Sequence, residues 1–497
     1  MNILMISAEM APFAKVGGLG DVVTALAGAL AGRKHDVRVV LPLYGHLDRT
    51  REKIRPIAKL PSVALRVGQE MHDARYHLMG SPRSRVKIYL VDCPTLYGRE
   101  GIYTDSRGDS FPDALARAAL HGQAALQLAG LLDWPVDVVH AHDAEACPAL
   151  LYRRHWYAGR GLPGPGGCVL TIHNLAHQEI HPPEGVDTLG LQRSMASYPG
   201  LLEFHGKVNL LKAGILAADR VNTVSPTYAE ETTADETFGC GLQGVLAGRG
   251  GDYNGILNGA DYATWDPRRD PALPAGYTAQ DLSGKEVCRK NLLAELGLKA
   301  DQNKPLCGFV GRLVHQKGID LALPLLGRLA DDGFSFAILG TGDRKLEAAV
   351  RKAAERHPDK VAFIGAFDEA LAHRIYAGSD LFLMPSLFEP CGLSQMYSLR
   401  YGTLPVVRRT GGLADTIIDA KRRNGNGFVF DEASPEDLLA ALRRAEVLWA
   451  DRAAWRKMQE RGMKCDFSWS VAAGRYEKIY RAAKNAAAAQ VKQHGRA

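Results

Sequence analysis

Short, continuously apolar runs alternate with longer Ala- and Leu-rich stretches along almost the whole chain, and this rhythm constrains the fold most. Runs without polar alternation are typical of parallel strands that helices cover on both faces. In the first half they lie at Ile3–Ile6, Val37–Leu41, Val86–Val91, Val136–His140, Val169–Ile172 and Arg220–Val224. Helices are predicted between them at Asp21–Arg33, Phe111–Leu132, Ala144–Arg154 and Leu202–Ala218. This β-α-β order predicts a doubly wound sheet.

The same rhythm restarts after a segment rich in Gly, Asn and Asp, residues 239–270, where we place the domain junction. The later strands are predicted at Leu306–Val310, Phe334–Leu339, Val361–Ile364, Leu381–Met384, Pro405–Val407 and Gly427–Phe430. A chain of 497 residues is long enough for two hydrophobic cores. We therefore predict an α/β protein with two Rossmann-like doubly wound domains that face a central cleft. The domains are expected at 1–245 and 255–470, followed by a helix at 471–497.

Charge, apolar runs and cysteine spacing exclude several classes of protein. Lys and Arg exceed Asp and Glu by only 61 to 55, which is too few for nucleic-acid binding but compatible with an anionic substrate. The apolar start, Met1–Ser7, is too short for a signal peptide, and no run approaches transmembrane length. The eight cysteines form no C-x-x-C pair. We expect a cytoplasmic protein without metal or other cofactor and without nucleic-acid or membrane partners.

The first candidate site follows the first predicted strand and opens the first predicted helix. Its residues are Lys15-Val16-Gly17-Gly18-Leu19-Gly20-Asp21. Glycine lets a backbone approach an anion closely, and a helix start offers unpaired N–H groups. The Lys15 side chain adds a full positive charge. Taken alone, the motif is explained at least as well by a tight strand-to-helix turn with a solvated lysine.

Two further motifs lie at predicted strand ends, where polar side chains of a doubly wound domain face the ligand crevice. One is His140-Ala141-His142-Asp143, and the other is Thr171-Ile172-His173-Asn174. Asp143 is a candidate for holding a sugar hydroxyl, and His173 and Asn174 have donors and acceptors suited to the same task. A buried hydrogen-bond network is the alternative, and we prefer it to a metal site, because no third ligand has a suitable spacing.

The second half of the chain supplies two cations beside a glycine at a strand end. Arg312 and Lys317 stand in Gly311-Arg312-Leu313-Val314-His315-Gln316-Lys317-Gly318. A planar guanidinium and a mobile ammonium suit a diphosphate leaving group, whose negative charge grows as its bond breaks. An ordinary solvated pair of cations is the alternative, and the position at a strand end favours function.

The next strand end presents a glutamate inside a turn bounded by Pro and Gly. The segment is Pro385-Ser386-Leu387-Phe388-Glu389-Pro390-Cys391-Gly392-Leu393-Ser394. Glu389 is a candidate to bind sugar hydroxyls or to stabilise positive charge, and a capping or salt-bridge role is the alternative. The N–H groups of Gly392, Leu393 and Ser394 are candidates to cradle oxygen atoms. Cys391 has no His or Asp partner pattern, so we expect it to contribute its backbone rather than a nucleophile.

Together the motifs resemble those of bacterial glycogen synthases and plant starch synthases, in that family's order, from residue 3 to about residue 480. Besides the segments above, the resemblance includes Ser225-Pro226-Thr227-Tyr228-Ala229, Leu257-Asn258-Gly259 with Asp261, and Thr410-Gly411-Gly412-Leu413-Ala414-Asp415. It implies a retaining glucosyltransferase of GT-B architecture that uses ADP-glucose and extends glycogen or a malto-oligosaccharide. It also implies a carboxy-terminal helix that crosses back onto the first domain.

The resemblance also implies roles for individual residues. Lys15 and the backbone of Gly17 and Gly18 would approach the distal phosphate and the glucose of the donor, with Asp21 in the same motif. His173 and Asn174 would lie beside the glucose, and Asp143 would orient the acceptor. Arg312 and Lys317 would hold the diphosphate, Glu389 would bind glucose hydroxyls, and Phe367 would stack on the base.

Three positions depart from the family pattern and bear on donor choice. Val16 replaces a common Thr, Phe367 stands where Tyr is common, and Gln243 stands where an acidic residue is common.

Several other functions remain as alternatives. A retaining glycosidase would need a second carboxylate about 5–5.5 Å from Glu389, and no motif offers one. The family implies instead front-face substitution assisted by the leaving phosphate. The remaining alternatives are a related GT-B transferase that uses UDP-glucose, a glucan phosphorylase, a non-catalytic glucan-binding protein and a nucleotide-binding oxidoreductase. The glycine loop after the first predicted strand, residues 15–21, does not have the spacing G-x-G-x-x-G, and this disfavours an oxidoreductase.

Overall fold

The structure, a computed structural model, describes residues 1–80, 85–156, 166–299 and 301–494. The chain forms two compact units. The first comprises Met1–Val224, Ala229–Gly259 and the segment from Trp469 onward, and the second comprises Ser225–Tyr228 and Ala260–Ser468. The main passage between units therefore falls at Gly259–Ala260, a few residues after the expected start of the second domain at 255.

A ten-stranded sheet forms the centre of the first unit. Its strands are β1 (Asn2–Ile6), β2 (Asp36–Pro42), β3 (Ile54–Pro56), β4 (Val63–Val67), β5 (Glu70–Met79), β6 (Lys87–Asp92), β7 (Val138–His142), β8 (Gly167–Ile172), β12 (Arg220–Thr223) and β13 (Tyr253–Gly255). The order is β13-β12-β8-β7-β1-β2-β6-β5-β3, with β4 paired to β5. All pairings from β13 to β6 are parallel, because helices connect these strands across the faces.

The helices of this unit include α1 (Gly18–Gly32), α2 (Pro94–Tyr97), α3 (Ala114–Leu131), α4 (Cys147–His155), α5 (Gly185–Thr188), α6 (Leu210–Ala217), α8 (Glu236–Gly239) and α9 (Gln243–Ala247). Most of α7 (Pro226–Ala234) also belongs to it, although the first residues of α7 belong to the second unit. The helix predicted at Leu202–Ala218 was wrong in its first half. There β10 (Glu203–Phe204) and β11 (Lys207–Asn209) form a hairpin that pairs with β9 (Ile180–His181). His205 and Gly206 both have positive φ, which gives a two-residue hairpin turn and stops a helix.

The antiparallel edge of the first sheet was not predicted from the sequence. Strands β4 and β5 form a hairpin, and β5 also pairs antiparallel with β6. Buried and exposed residues alternate along β4 and most of β5, as expected when only one face of a sheet is covered. The continuous apolar runs that revealed the parallel strands are therefore absent from this edge.

The second unit has a six-stranded, fully parallel sheet. Its strands are β14 (Leu306–Val310), β15 (Ser335–Leu339), β16 (Val361–Ile364), β17 (Leu381–Met384), β18 (Leu404–Arg408) and β19 (Phe428–Phe430). Its helices are α10 (Ser283–Glu295), α11 (Ile319–Asp331), α12 (Arg344–Arg356), α13 (Glu369–Gly378), α14 (Ser394–Arg400), α15 (Gly411–Thr416), α16 (Pro435–Ala450) and α17 (Arg452–Met463). The strand order β16-β15-β14-β17-β18-β19 is that of a Rossmann fold.

The carboxy-terminal helix α18 (Trp469–His494) is part of the first unit and packs on β8 and α1. Buried polar groups attach it to the sheet: the Tyr480 hydroxyl lies 2.9 Å from His140 Nδ1, and Asn222 Nδ2 donates to the Tyr476 hydroxyl at 3.2 Å. At the end of the sheet, Glu477 accepts two hydrogen bonds from Arg33. Residues 495–497 of the predicted tail helix lie outside the described residues.

Candidate active site

Each parallel sheet has one point where successive strands depart in opposite directions, and the candidate residues follow the strands at these points. In the first unit the point lies between β1 and β7, and in the second it lies between β14 and β17. Loops that leave the carboxyl ends of two such strands diverge and leave a crevice, where open α/β sheets bind ligands. Lys15 and Asp143 follow the first pair of strands, and Lys317 and Glu389 follow the second pair.

The Lys15 loop (residues 15–20) is the last part of the connection between β1 and α1 together with the first residues of α1. Lys15 Nζ lies 2.8 Å from the carboxylate of Asp21, so two of the predicted residues contact each other. The sequence suggested that the backbone N–H of Gly17 faces a ligand. In the structure this N–H instead donates to Glu9 Oε2 at 3.0 Å. The N–H of Val16 donates to the same oxygen at 2.7 Å.

Gly17 and Gly18 leave space beside the backbone of the Lys15 loop. A Cβ added at either position would meet no protein atom within 4 Å. Gly17 has an ordinary extended backbone, with φ of −136°. The fold therefore requires glycine at neither position, and this favours close approach of a ligand to the backbone. Gly20 differs, because an added Cβ would lie 3.2 Å from the N atom of Ala11.

His173 is held from two sides after β8. Its backbone N–H donates to Asp143 Oδ1 at 2.7 Å, and its Nε2 lies 3.0 Å from Nδ1 of His142. Burial lowers the pKa of His173 to about 3 and that of His142 well below its ordinary value. Both rings are therefore neutral at pH 7, with one nitrogen donating and the other accepting. The structure thus contains a buried hydrogen-bond network at the His140–Asp143 motif, which was the preferred alternative for that motif.

Asp143 has an unfavourable backbone and an unfavourable carboxyl environment. Its φ of 57° and ψ of −174° fall in a region that glycine alone adopts readily. Burial raises the pKa of its carboxyl to about 7, although the N–H groups of His173 and Asn174 lower it. Burial also raises the pKa of neighbouring Glu145 to about 8. Such costs concentrate at functional sites, where the surrounding structure must hold them in place.

Asn174 uses its side-chain oxygen locally. The backbone N–H of Ala176 donates to Asn174 Oδ1 at 3.1 Å, which fixes the turn after His173. Its amide nitrogen is the group that remains for the predicted contact with a sugar.

In the second unit, Lys317 and Glu389 form an ion pair. Lys317 Nζ donates to Glu389 Oε2 at 2.6 Å, and the Ser386 hydroxyl donates to the same oxygen at 3.1 Å. The two loops are also joined by their backbones, because the N–H of Leu387 donates to the carbonyl of Gln316 at 2.9 Å. Glu389 therefore forms the salt bridge that the sequence analysis gave as its alternative role. Its partner in that salt bridge, Lys317, is itself a candidate site residue.

Arg312 and Phe367 do not share this contact. Both side chains are exposed, and Phe367 has 90% of its surface accessible. Phe367 lies in the segment between β16 and α13.

Close backbone packing shapes the Glu389 turn (residues 385–394). Helix α14 starts at Ser394, and Gly392 has a φ of 71°. No described residue accepts a hydrogen bond from the N–H groups of Gly392 or Leu393. Cys391 is buried, and its carbonyl accepts a hydrogen bond from Gln395 Nε2 at 3.0 Å. A Cβ added at Gly412 would overlap that same carbonyl.

The rest of the described chain adds no metal centre and no membrane segment. Among the described residues, no cluster of three or more His, Cys, Asp or Glu side chains is placed to hold a metal ion. Within the same ranges, no helix is both long and apolar enough to cross a bilayer.

Sequence reasoning missed Glu9, Tyr103 and Ser386. Tyr103 donates its hydroxyl to Glu9 Oε1 at 2.8 Å, and Glu9 is only 3% exposed. A polar residue three positions after the end of β1 was the available signal for Glu9. No spacing rule connects it to Tyr103, which is 94 residues away.

Comparison with known proteins identifies the family of this chain. Residues 2–248 match the family described as starch synthase catalytic domain, and residues 297–461 match glycosyl transferases group 1. Glycogen synthase 2 of Geobacter metallireducens is 43% identical over 97% of this chain and 98% of its own length. The glycogen synthase of Anaeromyxobacter sp. strain Fw109-5 is 45% identical over 97% and 99%. The chain belongs to the glycogen and starch synthase family.

Solved structures place this family member in the predicted fold. The catalytic domain of starch synthase IV from Arabidopsis thaliana, bound to ADP and acarbose, matches with a TM-score of 0.88 and 32% identity. The match covers 97% of this chain and 99% of that one. Sucrose-phosphate synthase from Thermosynechococcus elongatus has a TM-score of 0.58 at 17% identity and shows the same fold. The predicted GT-B glycosyltransferase fold and the glycogen synthase activity are thereby confirmed.

Proposed function

We propose that this family member transfers glucose from ADP-glucose to the non-reducing end of an α-1,4-glucan, with retention of the anomeric configuration. The observation that carries the proposal is the Lys317–Glu389 ion pair at the divergence point of the second sheet, with Arg312 on the same loop as Lys317. A sugar diphosphate requires cations for its phosphates and an anion or acceptor for its sugar, and this crevice supplies both. The starch synthase IV structure, which contains ADP and acarbose, supports this choice of ligands.

In this proposal Arg312 and Lys317 stabilise the negative charge that grows on the leaving diphosphate. Preorganised charges of this kind are effective because they need no reorganisation during the reaction. Glu389 would accept hydrogen bonds from glucose hydroxyls and stabilise positive charge at the anomeric carbon. The contact between Lys317 and Glu389 keeps both groups in place until the substrate enters.

On the first unit, Lys15 would contact the distal phosphate and the glucose, beside the open backbone of Gly17 and Gly18. His173, pinned by Asp143 and His142, would lie against the glucose as a neutral donor or acceptor. Asp143 would orient the acceptor sugar. The incoming hydroxyl would attack the face from which the diphosphate departs and would give its proton to the departing phosphate oxygen.

The experiment is a transfer assay with labelled ADP-glucose or UDP-glucose and glycogen as acceptor. We expect incorporation from ADP-glucose, and release of the label by an enzyme that cleaves only α-1,4 bonds. A preference for UDP-glucose would contradict the donor assignment. Binding of glycogen without incorporation from either donor would identify a non-catalytic glucan-binding protein.

Three alanine variants test whether residues of the second unit are needed for glucose transfer. We expect Lys317→Ala, Arg312→Ala and Glu389→Ala each to lower kcat by about 100-fold or more, because each removes a preorganised charge. Lys299→Ala is a matched control, since Lys299 forms an exposed ion pair with Asp359 at 3.0 Å. Near-normal turnover in all three variants would contradict the assignment.

A further inference from the structure

Glu9 lies outside every motif, yet it is buried against the Lys15 loop. Its carboxylate collects three donors: the N–H groups of Val16 and Gly17 at 2.7 and 3.0 Å, and the Tyr103 hydroxyl at 2.8 Å. Its own N–H donates to the Ser7 hydroxyl oxygen, and that hydroxyl donates back to the Glu9 carbonyl. Both the backbone and the side chain of Glu9 are therefore fixed.

We propose that Glu9 is a positioning residue for the Lys15 loop in the transfer reaction. This inference rests on the proposed role of Lys15. Two adjacent peptide N–H groups bound to one oxygen fix the direction of the chain immediately after Lys15. That direction determines where the Lys15 side chain and the open backbone at Gly18 point.

Tyr103 makes Glu9 a rigid support rather than a movable one. It occupies Oε1, so rotation of the carboxylate would break the Tyr103 contact as well as the two backbone contacts. A carboxylate accepts and does not donate, and all three neighbours are donors, so the cluster is satisfied without further groups. Charge-assisted hydrogen bonds of this kind are about twice as strong as neutral ones.

The same contacts argue against a direct catalytic role for Glu9. Each oxygen of the Glu9 carboxylate already accepts a hydrogen bond from the protein, and Glu9 is 3% exposed.

The contacts of Glu9 also show which groups of the Lys15 loop can bind an anion. The N–H groups of Val16 and Gly17 are taken by Glu9, so the positive charge of the loop is that of the Lys15 ammonium.

The test compares Glu9→Ala with the conservative Glu9→Gln. Glu9→Ala removes the acceptor for both N–H groups, and we expect kcat to fall about 10- to 100-fold, as expected for lost hydrogen bonds to a charged group. Glu9→Gln keeps a carbonyl oxygen for the N–H groups and an amide for the Tyr103 oxygen. We expect it to stay within about fivefold of the unmodified protein, since only the charge assistance is lost.

A double-mutant cycle separates positioning from a general effect on folding. If Glu9 acts through the loop, Glu9→Ala should cost less than about threefold in a chain that already carries Lys15→Ala. Full additivity of the two losses would overturn the proposal. Glu477→Ala is the matched control: it removes another carboxylate that accepts from Arg33 and His35, and it should lower Tm without changing kcat.

Amide hydrogen exchange at Val16 and Gly17 tests the same idea without any activity. Both amides should exchange slowly in the unmodified protein and in Glu9→Gln, and quickly in Glu9→Ala. Unchanged exchange in Glu9→Ala would overturn the positioning role. If the unmodified protein transfers no glucose, the proposed function fails, and the exchange result still decides whether Glu9 holds the loop.

Discussion

Glycine serves different purposes in the Lys15 loop and around the Glu389 turn. At Gly17 and Gly18 an added Cβ would meet no protein atom within 4 Å. At Gly411 and Gly412 it would overlap the carbonyl oxygens of Glu389 and Cys391, and Gly411 also has a φ of 41°. Packing therefore does not require glycine at positions 17 and 18. It does require glycine at positions 411 and 412, because any larger side chain there would overlap the neighbouring backbone.

The comparison shows that one sequence signal can have two physical causes. Both segments contain Gly-Gly at the start of a helix, so their sequences look alike. Only the surrounding atoms distinguish glycine needed for packing from glycine that leaves a backbone accessible. Substitution by alanine should therefore affect stability in one segment and activity in the other.

Gly412→Ala should have the largest effect. Its Cβ must displace the Cys391 carbonyl, so we expect a loss of about 3–5 kcal/mol in the free energy of unfolding, in the range of severe overpacking. Urea denaturation measures this loss. Gly28→Ala in α1, where an added Cβ has no neighbour within 4 Å, is the control and should be neutral or slightly stabilising. Equal stability of the two variants would show that the close packing at Gly412 does not require glycine.

Gly18→Ala should lower activity and leave stability unchanged, in contrast to Gly412→Ala. We expect an unchanged Tm and a fall of about 10- to 100-fold in kcat/KM, because displacing a bound substrate by even 1 Å is costly. Thermal melting and the transfer assay give both quantities on one preparation. Normal activity would show that the open backbone has no role in binding.

Asp143→Asn should raise the stability of the first unit by an amount that depends on pH. The folded pKa is about 7, above the ordinary value of 3.8, so folded protein binds the proton more tightly than unfolded protein. Asp143 therefore destabilises the fold progressively as pH rises from about 4 to 7, and fully above 7. Asn carries no charge, so the variant should gain Tm at pH 8 and gain almost none at pH 4. A gain that is equal at both values would contradict the buried, protonated carboxyl.

Phe367→Tyr should have the smallest effect. The side chain is 90% exposed, so stability should change by less than about 0.5 kcal/mol. One added hydroxyl near the base should change the donor KM by no more than about tenfold, the value of a single hydrogen bond. Donor titrations with ADP-glucose measure it, and a larger change would show that this position controls donor choice.

The sequence predicted most of the parallel strands because they are buried on both faces and therefore largely apolar, but it missed β13, in which only Tyr253 is buried. It failed at β4, β5 and the β10–β11 hairpin, where one-sided burial and a turn at His205 and Gly206 dominate. The motifs at predicted strand ends supplied Lys15, Lys317 and Glu389, and the resemblance added Asp21. In the structure Lys15 contacts Asp21, and Lys317 contacts Glu389. Glu9 could not be found this way, since its partners are defined by folding rather than by spacing.

We infer that the Lys15 loop and the Glu389 turn each contact the bound ADP-glucose. Hydrogen–deuterium exchange of the full chain with ADP-glucose, without a glucan acceptor, tests it most directly. We predict slower exchange in residues 15–21 and in residues 386–394 at the same donor concentration. Slower exchange in only one of these segments, at a donor concentration that saturates binding, would show that the other segment does not contact the donor.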